Sequence, residues 1–157
     1  MIQTLRMHIM NDLEQILANW QKDCQIISDD LSEVSRATPA LHSKYLNELS
    51  LAKLKLKDAE MKQKTLLKDK WLWYNGKMPQ EKIEQLGWAY DPLDGLKIMK
   101  GDMDHYYDSD PEIQASELKI QYLKTTIDTL KEIVEALRWR HQTISNMIKW
   151  KQYEAGF

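Results

Sequence analysis

The longest run of regularly spaced hydrophobic residues follows Asp110 and Pro111. Ile113, Ile120, Ile127, Val134, His141 and Ile148 lie seven apart, with Leu123, Leu130, Leu137 and Ile144 between them. Heptad spacing with β-branched residues and leucine predicts a helix that buries one seam against another helix. We therefore expect a long C-terminal helix over 111–157 whose oligomerisation seam comprises Ile120, Leu123, Ile127, Leu130, Val134, Leu137, Ile144 and Ile148. The partner of this seam is either another long helix of the same chain or another subunit.

A second long helix is predicted over 38–75. Thr38 and Pro39 have the residue types of a helix cap and a first helical residue, and no further glycine or proline occurs before Gly76. Steps of four and three residues form a mostly apolar seam: Tyr45, Leu49, Ala52, Leu56, Ala59, Gln63, Leu66, Lys70 and Trp73. At 1.5 Å per residue such a helix is about 54 Å long.

The other two segments are less regular. Residues 1–37 predict a helix capped by Asn11 or Asp12, with Leu13, Ile16, Leu17 and Trp20 on one face, which ends near Cys24. It leads into a connector that holds either a short strand or a second small helix, since its apolar residues fit neither period well. Glycines and prolines make 76–110 an irregular middle with a short helix in "PQEKIEQLG" and room for a small hairpin. The fold class is therefore mainly α, in a single domain over 1–157.

The predicted helix lengths favour self-association. A compact chain of this size has a radius of gyration of about 15 Å and is about 40 Å across. Helices of about 55 to 60 Å exceed that diameter and would leave part of their apolar seams uncovered. A symmetric oligomer would bury them, so we expect the chain to self-assemble.

Charge is distributed unevenly along the chain, although the formal net charge is only −2. Eight lysines against Asp58, Glu60 and Asp69 give residues 53–77 a charge of +5, which leaves −7 for the remainder. On a helix, Lys53, Lys57, Lys64 and Lys68 lie within about 60° of one another, and Trp71 extends their row. Lysines beside an exposed indole suit single-stranded DNA, because they replace phosphate counterions while bases stack on the ring. A solvated helix face that only confers solubility is the alternative.

The basic segment also carries a resemblance. "LLKDKWLWYNGK" at 66–77 resembles the basic and aromatic motif of the UvsY family of phage recombination mediators, and "QYEAGF" at 152–157 resembles that family's ending. "SKYLN" at 43–47 and "IDTLKEIVEALRWRHQTISNMI" at 127–148 keep the family's order of elements. The stretch "GWAYDPLDGLKIMKGDMDHYYDSDPE" is longer than in the T-even-type member.

The resemblance implies a homo-oligomeric ring that binds single-stranded DNA without strong sequence preference. It also implies loading of a RecA-like phage recombinase onto strands covered by the phage single-strand-binding protein, in the cytoplasm of the infected host cell. By matching positions, Lys68 and Lys70 are the basic DNA contacts, and Trp73, Tyr74 and Lys77 complete the motif. The candidate nucleic-acid set is therefore Lys57, Lys64, Lys68, Lys70, Trp71, Trp73, Tyr74 and Lys77.

Helix periodicity qualifies this set. Lys70 falls on the apolar seam, so as a phosphate contact it requires either a snorkelling side chain or a helix that ends early. Trp73 also falls on the seam and is expected in the core, which leaves Trp71 and Tyr74 as the better stacking candidates.

Other functions have weaker support. Asp91, Asp94, Asp102, Asp104, Asp108 and Asp110 are the carboxylates from which a metal-dependent enzyme would have to draw its ligands, but their spacing fits no EF-hand. No phosphate-binding loop indicates an ATPase, and we expect no catalytic residue, metal or cofactor. The lone Cys24 fits a reducing cytosol, and no apolar run predicts a membrane span. The main rival is a protein-only coiled-coil adaptor or phage structural component.

Overall fold

The computed structural model describes residues 2–27, 29–99 and 101–156, with the backbone alone for residues 2–11. These ranges contain five helices and no strand: α1 (Ile2–Asp23), α2 (Leu31–Tyr74), α3 (Gln80–Leu86), α4 (Met103–Ser109) and α5 (Pro111–Glu154). The predicted mainly α fold with two long helices is confirmed. In the described part of the irregular middle, α3 is the predicted short helix, and α4 stands in the remainder, where the sequence left room for a hairpin.

The first residues of α1 and α2 both differ from the predictions. α1 begins ahead of the expected cap at Asn11 or Asp12. α2 begins seven residues before Thr38, because Asp30 Oδ1 accepts the backbone N–H of Glu33 at 3.0 Å and so caps the helix earlier. Pro39 consequently lies inside α2, and the hydroxyl of Thr38 donates to the carbonyl of Val34 at 2.9 Å. The predicted cap at Thr38 is wrong, since a residue typical of helix starts is tolerated in this helix interior.

The predicted helix boundaries in the middle of the chain are confirmed. α2 stops at Tyr74, and Gly76 follows with a φ of 64°. α3 lies between Pro79 and Gly87, whose φ of 69° is a left-handed conformation that glycine adopts without strain. Asp110 Oδ1 accepts the N–H groups of Glu112 at 2.9 Å and Ile113 at 3.2 Å, and thereby caps α5.

The chain forms two compact units. The first contains α1, α2 as far as Lys55 and α5 from Tyr122 onwards, and the second spans residues 56–121. The core of the first unit includes Tyr45, Leu49, Ala52, Leu123, Ile127, Leu130, Ile133, Val134, Leu137 and Ile144, and that of the second includes Ala59, Met78, Ile83, Ile113 and Ile120. Seven of the eight predicted oligomerisation residues are thus buried within this chain, whereas Ile148 is 42% exposed.

A buried arginine closes the end of α1 in the first unit. The guanidinium of Arg140 donates to the carbonyl of Asp23 at 2.7 Å and to that of Gln25 at 3.1 Å. Asp23 Oδ2 accepts bonds from Lys44 Nζ and the Tyr45 hydroxyl, each at 2.8 Å. The bond from Lys44 lowers the pKa of Asp23 most strongly, and the Tyr45 bond and the Arg140 charge add to this against the opposing effect of burial.

No helix in the described part of the chain is long and apolar enough to cross a membrane.

Candidate nucleic-acid interface

Three predicted lysines lie exposed on α2 in the second unit. Lys57, Lys64 and Lys68 have no carboxylate within ion-pair distance among the residues that the structure describes. On the same stretch of helix, Lys62 Nζ lies 2.7 Å from Asp58 Oδ2 and is paired. The row therefore presents cations that are available to an external anion. Lys53, the first member of the row, is also exposed and belongs to the first unit.

Trp71 and Lys77 form a pair at the end of this row. The Trp71 side chain is 41% exposed, and Lys77 Nζ lies 4.7 Å from the centroid of its ring. The turn at Gly76 makes the pair possible, because it directs the chain back so that the N–H of Lys77 donates to the carbonyl of Leu72 at 2.8 Å. The arrangement places a cation beside an aromatic ring, and these are the two groups that hold a nucleotide by phosphate and base.

Lys70 is separated from the exposed lysines by burial. Its side chain is 3% exposed, and its Nζ lies 2.9 Å from Asp110 Oδ2 and 3.1 Å from Glu112 Oε1. The same nitrogen lies 4.6 Å from the ring centroid of Trp73 and 4.1 Å from that of Trp88. α2 continues past this residue and the ammonium group does not reach solvent, so neither geometry that a phosphate contact required is present.

Trp73 and Tyr74 are half-buried and take part in internal packing. The indole Nε1 of Trp73 donates to the carbonyl of Ala89 at 2.7 Å, and its ring centroid lies 5.0 Å from that of Trp88. The hydroxyl of Tyr74 donates to Asp110 Oδ2 at 2.8 Å, and burial together with this bond raises the pKa of Tyr74. The predicted set therefore divides into exposed residues, namely Lys57, Lys64, Lys68, Trp71 and Lys77, and inward-facing ones, namely Lys70, Trp73 and Tyr74.

Sequence reasoning missed the partners of the inward residues. Asp110 was expected to cap α5, but its second carboxylate oxygen also binds Lys70 and Tyr74. Trp88 lies in the stretch without periodicity, so no pattern linked it to Lys70. A lysine on an apolar seam does require a counter-ion, and this was the available signal for a nearby carboxylate.

Within the described residues, no group of three or more His, Cys, Asp or Glu side chains could hold a metal ion.

Comparisons with known proteins agree with this architecture. Residues 19–157 match the family model described as "Recombination, repair and ssDNA binding protein UvsY". The fold is similar to that of the bacteriophage T4 recombination mediator protein UvsY in its lattice type II crystal structure, with 22% identity and a TM-score of 0.75 over 91% of this chain and 97% of that one. The lattice type I structure gives 22% identity and a TM-score of 0.74 over 91% and 98% of the two chains.

No curated protein sequence gives a significant match. The likeness to the two crystal structures shows a shared fold, and the family match extends over most of the sequence. The chain belongs to the UvsY family of recombination and repair proteins.

Proposed function

We propose that this recombination mediator binds single-stranded DNA along the exposed side of α2 in the second unit. Lys57, Lys64 and Lys68 contact successive phosphates, and Trp71 with Lys77 holds a base and a phosphate at the end of the row. The observation that supports this most directly is the absence of internal carboxylate partners for these three lysines among the described residues. Sequence-independent binding follows, since phosphates and base faces are common to all nucleotides.

The second part of the proposal is that the chain loads a RecA-like phage recombinase onto strands covered by single-strand-binding protein, in homologous recombination, repair and replication. This task requires competition for the phosphate backbone and no bond chemistry. Weak sites on several subunits suffice, because linking them raises the effective concentration of each for the same strand. A homo-oligomeric ring provides such linkage.

We infer that self-assembly uses a surface other than the buried heptad seam. The last part of α5 exposes four large apolar side chains: Trp139 at 61%, Ile148 at 42%, Trp150 at 63% and Tyr153 at 73%. Exposed aromatic residues at this density are typical of protein interfaces. We therefore assign the contact between subunits to this part of α5, with Ile148 as the member of the predicted set that remains available.

Fluorescence anisotropy of labelled single-stranded DNA at several salt concentrations tests the DNA site. We expect the logarithm of the association constant to fall with log salt by about 0.7 per phosphate contact. Lys64→Ala and Lys68→Ala each lower that slope by about 0.7. Lys62→Ala is the matched control, since Lys62 lies on the same helix but is paired with Asp58, and it should change the slope less. Absence of salt-dependent binding by the wild type would instead favour the coiled-coil adaptor.

The loading step is tested with the recombinase. The wild-type chain should shorten the lag in ATP hydrolysis by a RecA-like phage recombinase on DNA covered by single-strand-binding protein. A Lys64→Ala, Lys68→Ala double variant of unchanged oligomeric mass should lose this effect. Full stimulation by the double variant would separate loading from the proposed DNA site.

A further inference from the structure

Lys70 belongs to the basic motif of this chain but is enclosed by its own protein. We infer that Lys70 is a positioning residue, an internal counter-ion that fastens the end of α2 to the start of α5 and so presents Trp71 and Lys77 to DNA, and that it makes no phosphate contact. The inference rests on the proposed DNA site and concerns how that site is held.

The bonding capacity of the Lys70 ammonium group is already used. It has three N–H donors, and carboxylate oxygens of Asp110 and Glu112 lie 2.9 and 3.1 Å away. The rings of Trp73 and Trp88 lie within cation–π distance, at 4.6 and 4.1 Å from their centroids. A phosphate could reach this nitrogen only if these groups moved apart.

The counter-ion cannot leave without a penalty. The Asp110 side chain is 2% exposed, and it would remain as a buried carboxylate without a cation if Lys70 turned outward to DNA. Removal of one member of a buried ion pair is strongly unfavourable for this reason. By contrast, Lys68 has no partner within the described residues and can bind a phosphate without breaking any contact.

The geometry of α2 explains how an inward residue positions an outward one. Lys70 and Tyr74 lie one helical turn apart and both bind Asp110 Oδ2, at 2.9 and 2.8 Å. Trp71 is rotated by about 100° from Lys70, toward the exposed lysines. The two inward bonds therefore set the rotation of the last turn, which determines where the Trp71 ring meets Lys77.

A charge-neutral double variant separates positioning from contact. Lys70→Met with Asp110→Asn removes one positive and one negative charge, keeps the length of the lysine stem, and retains a side-chain oxygen to cap α5. The matched control is Lys68→Met with Asp94→Asn, which makes the same exchange at exposed positions. Asp94 has a φ of 49°, a conformation that asparagine accepts readily.

Anisotropy at several salt concentrations gives the result. We expect the exposed control to lower the salt slope by about 0.7, as for one lost phosphate. The buried double variant should retain the wild-type slope, because the flexible Lys77 side chain still reaches a phosphate, but it should bind several-fold more weakly, because the Trp71 ring no longer meets the base. Wild-type affinity in the buried variant would contradict the positioning role. A buried variant whose slope also falls by about 0.7 would overturn the inference while leaving the DNA site intact. Wild-type protein without salt-dependent binding would overturn the proposed DNA site as well.

Lys70→Arg provides a second test if the double variant does not fold. At a phosphate contact, arginine would keep or raise the affinity, because its guanidinium binds phosphate in a bidentate manner. In the enclosure formed by Trp73, Trp88 and Asp110, the larger planar group displaces its neighbours. We expect the affinity to fall several-fold with an unchanged salt slope, and equal or higher affinity would contradict the positioning role.

Discussion

Replacement of Arg140 by methionine should be among the most destabilising changes in the first unit. The side chain is 8% exposed, and its guanidinium is bonded to the carbonyls of Asp23 and Gln25 at the end of α1. Methionine fills a similar volume but leaves both carbonyls without these donors. The cation also interacts favourably with the negative end of the α1 dipole, and this interaction is lost too.

The size of the effect follows from these contacts. A hydrogen bond that involves a charged group contributes about 1.5–3 kcal/mol, and removing a buried cation recovers part of its desolvation penalty. We therefore expect Arg140→Met to lower the free energy of unfolding by about 3 kcal/mol. For a chain of this length that corresponds to a fall in Tm of about 6–12 °C.

Arg138→Met is the matched control on the same helix. Its side chain is 63% exposed and its guanidinium lies 3.3 Å from Glu135, so the loss should be about 0.5 kcal/mol at most. Urea denaturation followed by circular dichroism, at a fixed protein concentration, measures both variants. If their unfolding free energies differ by less than about 1 kcal/mol, the bonds of Arg140 do not hold α1 in the way described.

Three further substitutions should change the stability of the folded chain. Replacement of Leu130, which is 0% exposed, by alanine should lower the free energy of unfolding by about 2–5 kcal/mol. Leu118→Ala, at a position that is 46% exposed, should lower it far less, as measured by urea denaturation. Burial opposes ionisation of Asp110, but bonds from Lys70, Tyr74 and the Ile113 N–H lower its pKa overall. Its stabilisation is thus complete above the unfolded-state pKa of about 3.9 and is lost as pH falls through the lower folded pKa. Asp110→Asn should flatten the loss of Tm over this acid range, and an unchanged acid profile would contradict that assignment. Pro39→Ala restores an N–H inside α2 and should raise the free energy of unfolding by about 1–3 kcal/mol, and Tm with it. A lower Tm would contradict this expectation.

Element prediction succeeded where local residue types decide the boundary. The helix boundaries at Asp110 with Pro111, and at Pro79 with Gly87, depend on contacts with adjacent residues, and both pairs bound helices as expected. The start of α2 was missed because Pro39 imitates a helix start, whereas Asp30 is the actual cap. The partner of the heptad seam could not be chosen from the sequence, because the same pattern serves intramolecular and intersubunit packing.

At the candidate site, helical periodicity predicted which side chains face inward better than it predicted the residues that they contact. It placed Lys70 and Trp73 inward and Trp71 outward, in agreement with their burial in the structure. Tyr74 was expected to stack with bases, but its hydroxyl is bonded to Asp110. Asp110 is far from Tyr74 in sequence, and a helical wheel contains no information on contacts between distant segments.

The charge that can bind DNA is consequently smaller than the lysine count suggests. Of the eight lysines at 53–77, Lys55, Lys62 and Lys70 have carboxylate partners within the described residues. In the second unit this leaves Lys57, Lys64, Lys68 and Lys77, which together allow a salt slope of about −2.8 per subunit at 0.7 per phosphate. A steeper slope per subunit would mean that cations outside this row reach the strand, and a slope near −0.7 would mean that only one lysine of the row is in contact.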